Sequence, residues 1–107
     1  MLKLLMLARK RPDLTEDEFT TYWLQVHGPL VAKVPGVRRY VANVVTRDAA
    51  MSTADCDGIA EVWFDNMAAL QDAAESAAGK ACLDDLSRFC AAGSGTAVVE
   101  EVELDLG

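Results

Sequence analysis

Residues 11–30 read Arg11-Pro12-Asp13-Leu14-Thr15-Glu16-Asp17-Glu18-Phe19-Thr20-Thr21-Tyr22-Trp23-Leu24-Gln25-Val26-His27-Gly28-Pro29-Leu30. Pro12-Asp13 turns the chain. Thr15 has a hydroxyl that can accept from the backbone three residues on, and Glu18 can reach back to the Thr15 amide, which is the pattern of a capping box. Phe19, Tyr22, Trp23 and Val26 then recur at i, i+3, i+4 and i+7, one apolar helix face. Gly28-Pro29 ends that helix in this reading, because proline offers no N–H and crowds the preceding turn, and Leu30 to Val34 adds a further turn. His27, the only histidine of the 107 residues, is therefore expected at the helix C-terminus, near the edge of the apolar face. The carbonyl end of a helix favours imidazolium and burial favours the neutral ring, so the two pulls oppose. Either form belongs to a group that exchanges protons near neutral pH, and a structural histidine is the competing reading.

Outward from this helix, periodicity lays out the rest. Leu2 to Ala8 reads as a first strand, and Val37 to Val45 as a second, entered through Pro35-Gly36. Thr46 to Asp57 lacks periodicity and reads as a loop. Gly58 to Phe64 is a third strand. Asp65 or Asn66 caps a second helix with Met67, Leu70 and Ala74 on one side, and Lys80 to Ala91 forms another with Leu83, Leu86 and Phe89 inward. Gly93-Ser94-Gly95 is a turn, and Thr96 to Leu106 the last strand. The order is β-α-β-β-α-β with an extra helix, the split βαβ plan, in one domain spanning 1–107. Several strands are apolar on both faces: Leu2 to Ala8 carries only Lys3 as a charge, and Val41, Val44 and Val45 fall on opposite sides of the second strand. Helices cover one face of such a sheet, so a second copy of the chain is the simplest cover for the other.

Composition narrows the function. A net charge of −7 and a pI near 4.5 argue against nucleic acid and against an anionic membrane surface. No apolar run reaches membrane-spanning length, and Met1 to Ala8 is too short for a signal peptide. Cys56, Cys82 and Cys90 match neither a disulfide framework nor a metal motif, which suits reduced thiols in a cytoplasmic protein. With one histidine and no Cys-x-x-Cys, no metal is expected, and the absence of a Gly-rich phosphate fingerprint leaves no expected cofactor.

The pattern Arg11-Pro12-Asp13-Leu14-Thr15, Phe19, Tyr22-Trp23, His27-Gly28-Pro29-Leu30, Pro35-Gly36 and Tyr40 resembles the EthD family. The resemblance is sharp over residues 9–45, looser over Asp57 to Leu70 and faint beyond. It implies a ferredoxin-like α+β protomer with a four-stranded antiparallel sheet, assembled as a dimeric α+β barrel. In the EthD-like branch that isomerises methyl-substituted muconolactones, a histidine and a tyrosine act together, and His27 and Tyr40 match those two positions. The second histidine and the cysteine of that branch have no counterpart here, where the third strand holds Ala60, Glu61 and Val62.

His27 and Tyr40 are thus the candidate catalytic residues, with Trp23, Trp63, Asn43 and Glu61 as candidate substrate contacts. Trp23 is most simply a core residue with pocket lining as a secondary role, Trp63 can line the pocket or fill the core, and Glu61 can be a solvated strand position or a pocket carboxylate. Two function classes follow. One is a cofactor-independent lyase, cyclase or isomerase acting on a small apolar carbonyl compound such as a polyketide or lactone. The other is an accessory or ligand-binding EthD protein that works beside an oxidoreductase or degradation system.

Overall fold

The computed structural model describes residues 1–47, 52–92 and 95–107. The expected loop at Thr46 to Asp57 and the turn at Gly93-Ser94-Gly95 fall partly outside those residues. Element order is β1 (Leu2–Ala8), α1 (Glu16–Tyr22), a π turn (Trp23–His27), α2 (Gly28–Val31), β2 (Arg39–Val44), β3 (Gly58–Phe64), α3 (Met67–Glu75), α4 (Ala77–Asp85), a 3₁₀ turn (Leu86–Arg88) and β4 (Thr96–Glu100). The strands form one antiparallel sheet in the order β2-β3-β1-β4. This is the ferredoxin-like α+β arrangement, with β1 and β3 at the centre and two edges on β2 and β4.

Helix starts follow their capping residues. The Thr15 hydroxyl accepts from the Glu18 amide at 3.1 Å and the Glu18 carboxylate accepts from the Thr15 amide at 2.9 Å, completing the capping box. Asn66, not Asp65, caps α3, and Ser76 caps α4.

Strand register sorts side chains between two faces. Leu4, Tyr40 and Val62 stand opposite one another across the central strands, on the face the helices cover. Phe19, Trp23, Ala8, Ala60 and Phe89 form one core cluster there, and Val62, Phe64 and Ala73 a second. Phe19, Trp23 and Phe89 are the largest fully buried side chains. Burial of each aromatic contributes about 1.5–3 kcal/mol. Gly58 opens β3, where a Cβ would sit 2.3 Å from the Trp23 ring, so only a glycine lets the indole approach the strand this closely.

Several expectations are corrected. Val26 is 46% exposed, because the π turn rotates it off the apolar face. Met67 and Leu83 are 44% and 55% exposed, and Ala74 is exposed too. Leu70 packs inward as expected, and Ala73 joins it on the buried side of α3. The last helix begins earlier, at Ala77, and tightens to 3₁₀ after Asp85. β2 begins at Arg39 and β4 ends at Glu100, short of Leu106.

Candidate active site

His27 does not terminate a helix. Helical backbone runs through it into α2, and the Gly28 amide bonds to the Trp23 carbonyl, five residues back. In an α-helix four residues overshoot a full turn by about 40°, so a face spaced at four drifts. The wider π turn undoes the drift between Trp23 and His27. Phe19, Trp23 and His27 consequently share one buried face, at 1%, 2% and 5% exposure.

The His27 Nδ1 lies 2.9 Å from Asp85 Oδ2 on α4. The other Asp85 oxygen accepts from the Tyr22 hydroxyl at 2.6 Å. Burial pushes the Asp85 carboxyl up, but the hydrogen bonds from Tyr22 and His27, aided by the charge of Arg88, outweigh it and hold the group below the ordinary carboxylate range. An ionised Asp85 can only accept, so Nδ1 carries a hydrogen, and in the neutral ring the lone pair is on Nε2. Nε2 makes no hydrogen bond, and among the described residues no fully buried side-chain nitrogen or oxygen lacks a partner. Nε2 therefore opens onto accessible space. The Phe89 ring packs 4.9 Å from the imidazole and fixes its tilt.

A cavity of about 590 Å³ lies between the helices and the sheet. His27, Trp23 and Tyr40 line it together with apolar side chains such as Val62, Leu70 and Leu86. The Trp23 indole N–H donates to the Tyr40 hydroxyl oxygen at 2.7 Å. This leaves the phenolic hydrogen for an acceptor in the cavity. Burial holds the Tyr40 hydroxyl above its ordinary pKa, so it is a neutral donor at neutral pH. Cys82 and Cys90 also line the cavity. Burial raises both thiols, Cys90 to about 12, so they contribute apolar wall and no thiolate. All three cysteines are free.

The structure thus brings His27, Tyr40 and Trp23 together and separates them from Trp63, Asn43 and Glu61. Those three lie on the opposite face of the sheet, with Lys3, Arg39 and Val41. There, Lys3 Nζ bonds to Glu61 at 2.9 Å and Glu101 at 3.1 Å, Asn43 donates to Glu61 at 2.9 Å, and the Trp63 indole donates to Glu101 at 3.0 Å. The Asn43 amide and the Lys3 ammonium keep the Glu61 carboxyl below its usual pKa. Arg39 covers the Trp63 ring at 4.7 Å. Glu61 is half-buried and paired, which matches neither a solvated position nor a carboxylate in the His27 cavity.

Asp85 is the site residue that sequence reasoning missed. It falls on the inward stripe with Cys82 and Phe89, at i−3 and i+4, and a charge on an apolar stripe was the available signal.

The sequence model of the EthD domain matches residues 11–93. The chain belongs to the EthD family. An ethyl tert-butyl ether D (EthD) family protein from Bacillus halodurans C-125 is 26% identical, covers 95% of this chain and 99% of its own, and superposes with a TM-score of 0.80. A dimeric ferredoxin-like protein of unknown function from Thermobifida fusca YX is 14% identical, with 92% and 88% coverage and a TM-score of 0.71. SnoaB, a cofactor-independent oxygenase from Streptomyces nogalater, is 12% identical, with 99% and 97% coverage and a TM-score of 0.70. The last two show likeness of fold alone. No curated protein sequence matches the chain. Among the described residues of this EthD protein, no helix is long and apolar enough to cross a membrane, and no three His, Cys, Asp or Glu side chains are placed to share a metal ion.

Proposed function

We propose that this EthD protein is a cofactor-independent enzyme of the lyase, cyclase or isomerase type. It acts in the cytoplasm, as a homodimer, on a small apolar carbonyl compound such as a polyketide or lactone. The observation that carries the proposal is the His27 ring, held by Asp85 at Nδ1 and lining, together with Tyr40, a largely apolar cavity. Nε2 removes a proton from a carbon beside the ligand carbonyl. Asp85 stabilises the imidazolium that forms, and Tyr40 donates to the carbonyl oxygen as it gains enolate charge. The imidazolium then returns the proton to another atom of the same ligand. The SnoaB neighbour, described as a cofactor-independent oxygenase, supports a fold of this kind working without a cofactor. The dimeric neighbours and the half-buried valine and leucine side chains of the uncovered sheet face support the homodimer.

One observation favours the second reading, an accessory or ligand-binding role beside an oxidoreductase. Asp85 ties Tyr22 and His27 to α4, which is a structural task in its own right. Exchange of the α-protons of β-tetralone with deuterated solvent separates the two. The enzyme reading expects wild-type exchange well above buffer, and a fall of roughly two to four decades in His27→Gln with the fold intact. Exchange by wild type at the buffer rate, or an unaffected variant, supports the binding role instead.

A further inference from the structure

Tyr22 and His27, from one stretch of helix, both donate to Asp85: the phenol to Oδ1 at 2.6 Å, and Nδ1 of the imidazole to Oδ2 at 2.9 Å. The two residues are five apart in sequence. On an α-helix, where each residue turns the chain by about 100°, such side chains point about 140° away from each other. The π turn over Trp23–His27 changes this, because its backbone bond closes over five residues instead of four and brings positions five apart toward one side. The widened turn therefore lets both groups reach one carboxylate on α4. Phe89 packs against both rings, 5.2 Å from Tyr22 and 4.9 Å from His27.

The charged groups around this carboxylate lie on its outer side. Arg88, whose side chain is 74% exposed, brings Nε to 3.6 Å from Oδ1, the oxygen that Tyr22 also holds. Tyr22 and Arg88 line an outer cleft with Asp17, Glu18 and Gln25, and none of these lines the His27 cavity. On the inner side, His27 shares its cavity with Tyr40, Cys82 and Cys90, all kept neutral at pH 7 by burial. The hydrogen bond to Asp85, and then burial, raise the Tyr22 hydroxyl above its ordinary pKa, so it remains a donor while the imidazole titrates. Asp85 is thus the anion paired with the imidazole, and its charge is shared. What Tyr22 and Arg88 draw to Oδ1 is withheld from the imidazolium at Oδ2.

We propose that Tyr22 is a positioning residue that sets the proton affinity of His27 by holding part of the Asp85 charge, with Arg88 as a weaker, salt-sensitive second hold. The catalytic meaning of this inference rests on the proton transfer proposed above. That reaction needs a ring that takes a proton from carbon and gives it back, which works best when its proton affinity matches the working pH. An Asp85 given wholly to His27 stabilises the imidazolium further and keeps the ring protonated where it has to act as a base. The Tyr22 hydroxyl tempers that pull without touching the ligand cavity.

Because His27 is the only histidine, its imidazole signals in a nuclear magnetic resonance titration are unambiguous. Tyr22→Phe keeps the ring against Phe89 and removes the hydroxyl. The midpoint of the His27 titration is expected to move up by about 0.5–1 pH unit, and the acid limb of the β-tetralone exchange profile to move up with it. Arg88→Gln is expected to move the midpoint the same way by less, with a shift that fades in about 1 M salt while the Tyr22→Phe shift persists. A tyrosine that only ties α1 to α4 would change stability and leave the midpoint in place, so a folded Tyr22→Phe whose midpoint stays or falls overturns the proposal. An Arg88→Gln midpoint unmoved at low salt overturns the shared-charge account, whether or not Tyr22→Phe folds. Wild-type exchange at the buffer rate defeats the enzyme reading instead, and the titration midpoints still decide what Tyr22 does to His27.

Discussion

Replacing Asp85 by asparagine is the most direct probe of the site, because it preserves shape and removes one charge and one acceptor. Asp85 receives two hydrogens, from the Tyr22 hydroxyl at 2.6 Å and from His27 Nδ1 at 2.9 Å. An asparagine amide can accept one of them and must present its NH₂ to the other. If NH₂ faces His27, Nδ1 must become the acceptor and the hydrogen moves to Nε2, so the ring loses its base. If it faces Tyr22, the phenolic hydrogen loses its partner. A hydrogen bond to a charged group contributes about 1.5–3 kcal/mol, a neutral one about 0.5–1.5, and a buried donor left alone costs about 1–3 kcal/mol. One bond weakened and one partner lost therefore predict a destabilisation of about 2–4 kcal/mol at pH 7, at a site where Asp85 is only 8% exposed. The pH dependence has a definite sign. The folded state holds the Asp85 carboxyl below its ordinary value of 3.8. Its contribution is therefore complete above that pH and disappears as pH falls through the lower folded value. Urea unfolding at fixed protein concentration, at pH 7 and near pH 3, measures both. The gap between wild type and Asp85→Asn should be full at pH 7 and narrowed at pH 3. A variant within about 0.5 kcal/mol of wild type at pH 7, the level of an ordinary surface change, would refute the reasoning.

Other expectations follow from the same geometry. His27→Gln should fold, retain ligand and lose roughly two to four decades of turnover, while Tyr40→Phe should cost less because it removes a donor and no base; steady-state kinetics on the same substrate ranks them. Gly58→Ala places a methyl 2.3 Å from the Trp23 ring and 3.2 Å from the Asn43 carbonyl oxygen, so overpacking should lower stability by about 1–3 kcal/mol in urea unfolding. Cys90, raised from 9.0 to about 12, should alkylate roughly a thousandfold more slowly than a free thiol at pH 8, since only the thiolate reacts; mass spectrometry of native and urea-unfolded protein after iodoacetamide gives the ratio, and equal rates contradict the buried thiol.

Much of the fold was legible because its signals are local. The capping box at Thr15 and Glu18, the apolar runs Leu2 to Ala8 and Gly58 to Phe64, and Asn66 at the start of α3 needed only neighbours in sequence. The π turn was not legible. Gly28-Pro29 reads as a stop because an α-helix cannot continue through a residue without an N–H. A π turn closing from the Gly28 amide to the Trp23 carbonyl opens the helix just before Pro29, and the chain continues with Pro29 in the first turn of α2. That one widened turn moved His27 from a helix end to a buried face and Val26 into solvent. Strand faces were not assigned from the sequence for a related reason. Alternation says that Glu61 and Val62 point oppositely but not which of them faces the helices. Only the pairing of Val62 with Leu4 and Tyr40 assigns the His27 side, and it sends Glu61, Trp63 and Asn43 to the other. Asp85 escaped because its partners, Tyr22 and His27, are 63 and 58 residues away.

The division between the two faces constrains what the proposed enzyme can hold. The charges near the middle of the sheet, Lys3, Arg39, Glu61 and Glu101, all serve the face away from His27. No lysine or arginine lines the His27 cavity among the described residues. The charge closest to the imidazole is the Asp85 carboxylate, an anion already engaged. A carboxylate or phosphate entering this cavity would lose its water without meeting a cation, a cost of several kcal/mol. A neutral carbonyl faces no such cost, because Tyr40 offers one hydrogen and His27 one lone pair. An enolate forms there only as the proton moves to His27, so its negative charge appears together with the imidazolium. The one charge separation this cavity can sustain is the one the proposed proton transfer makes.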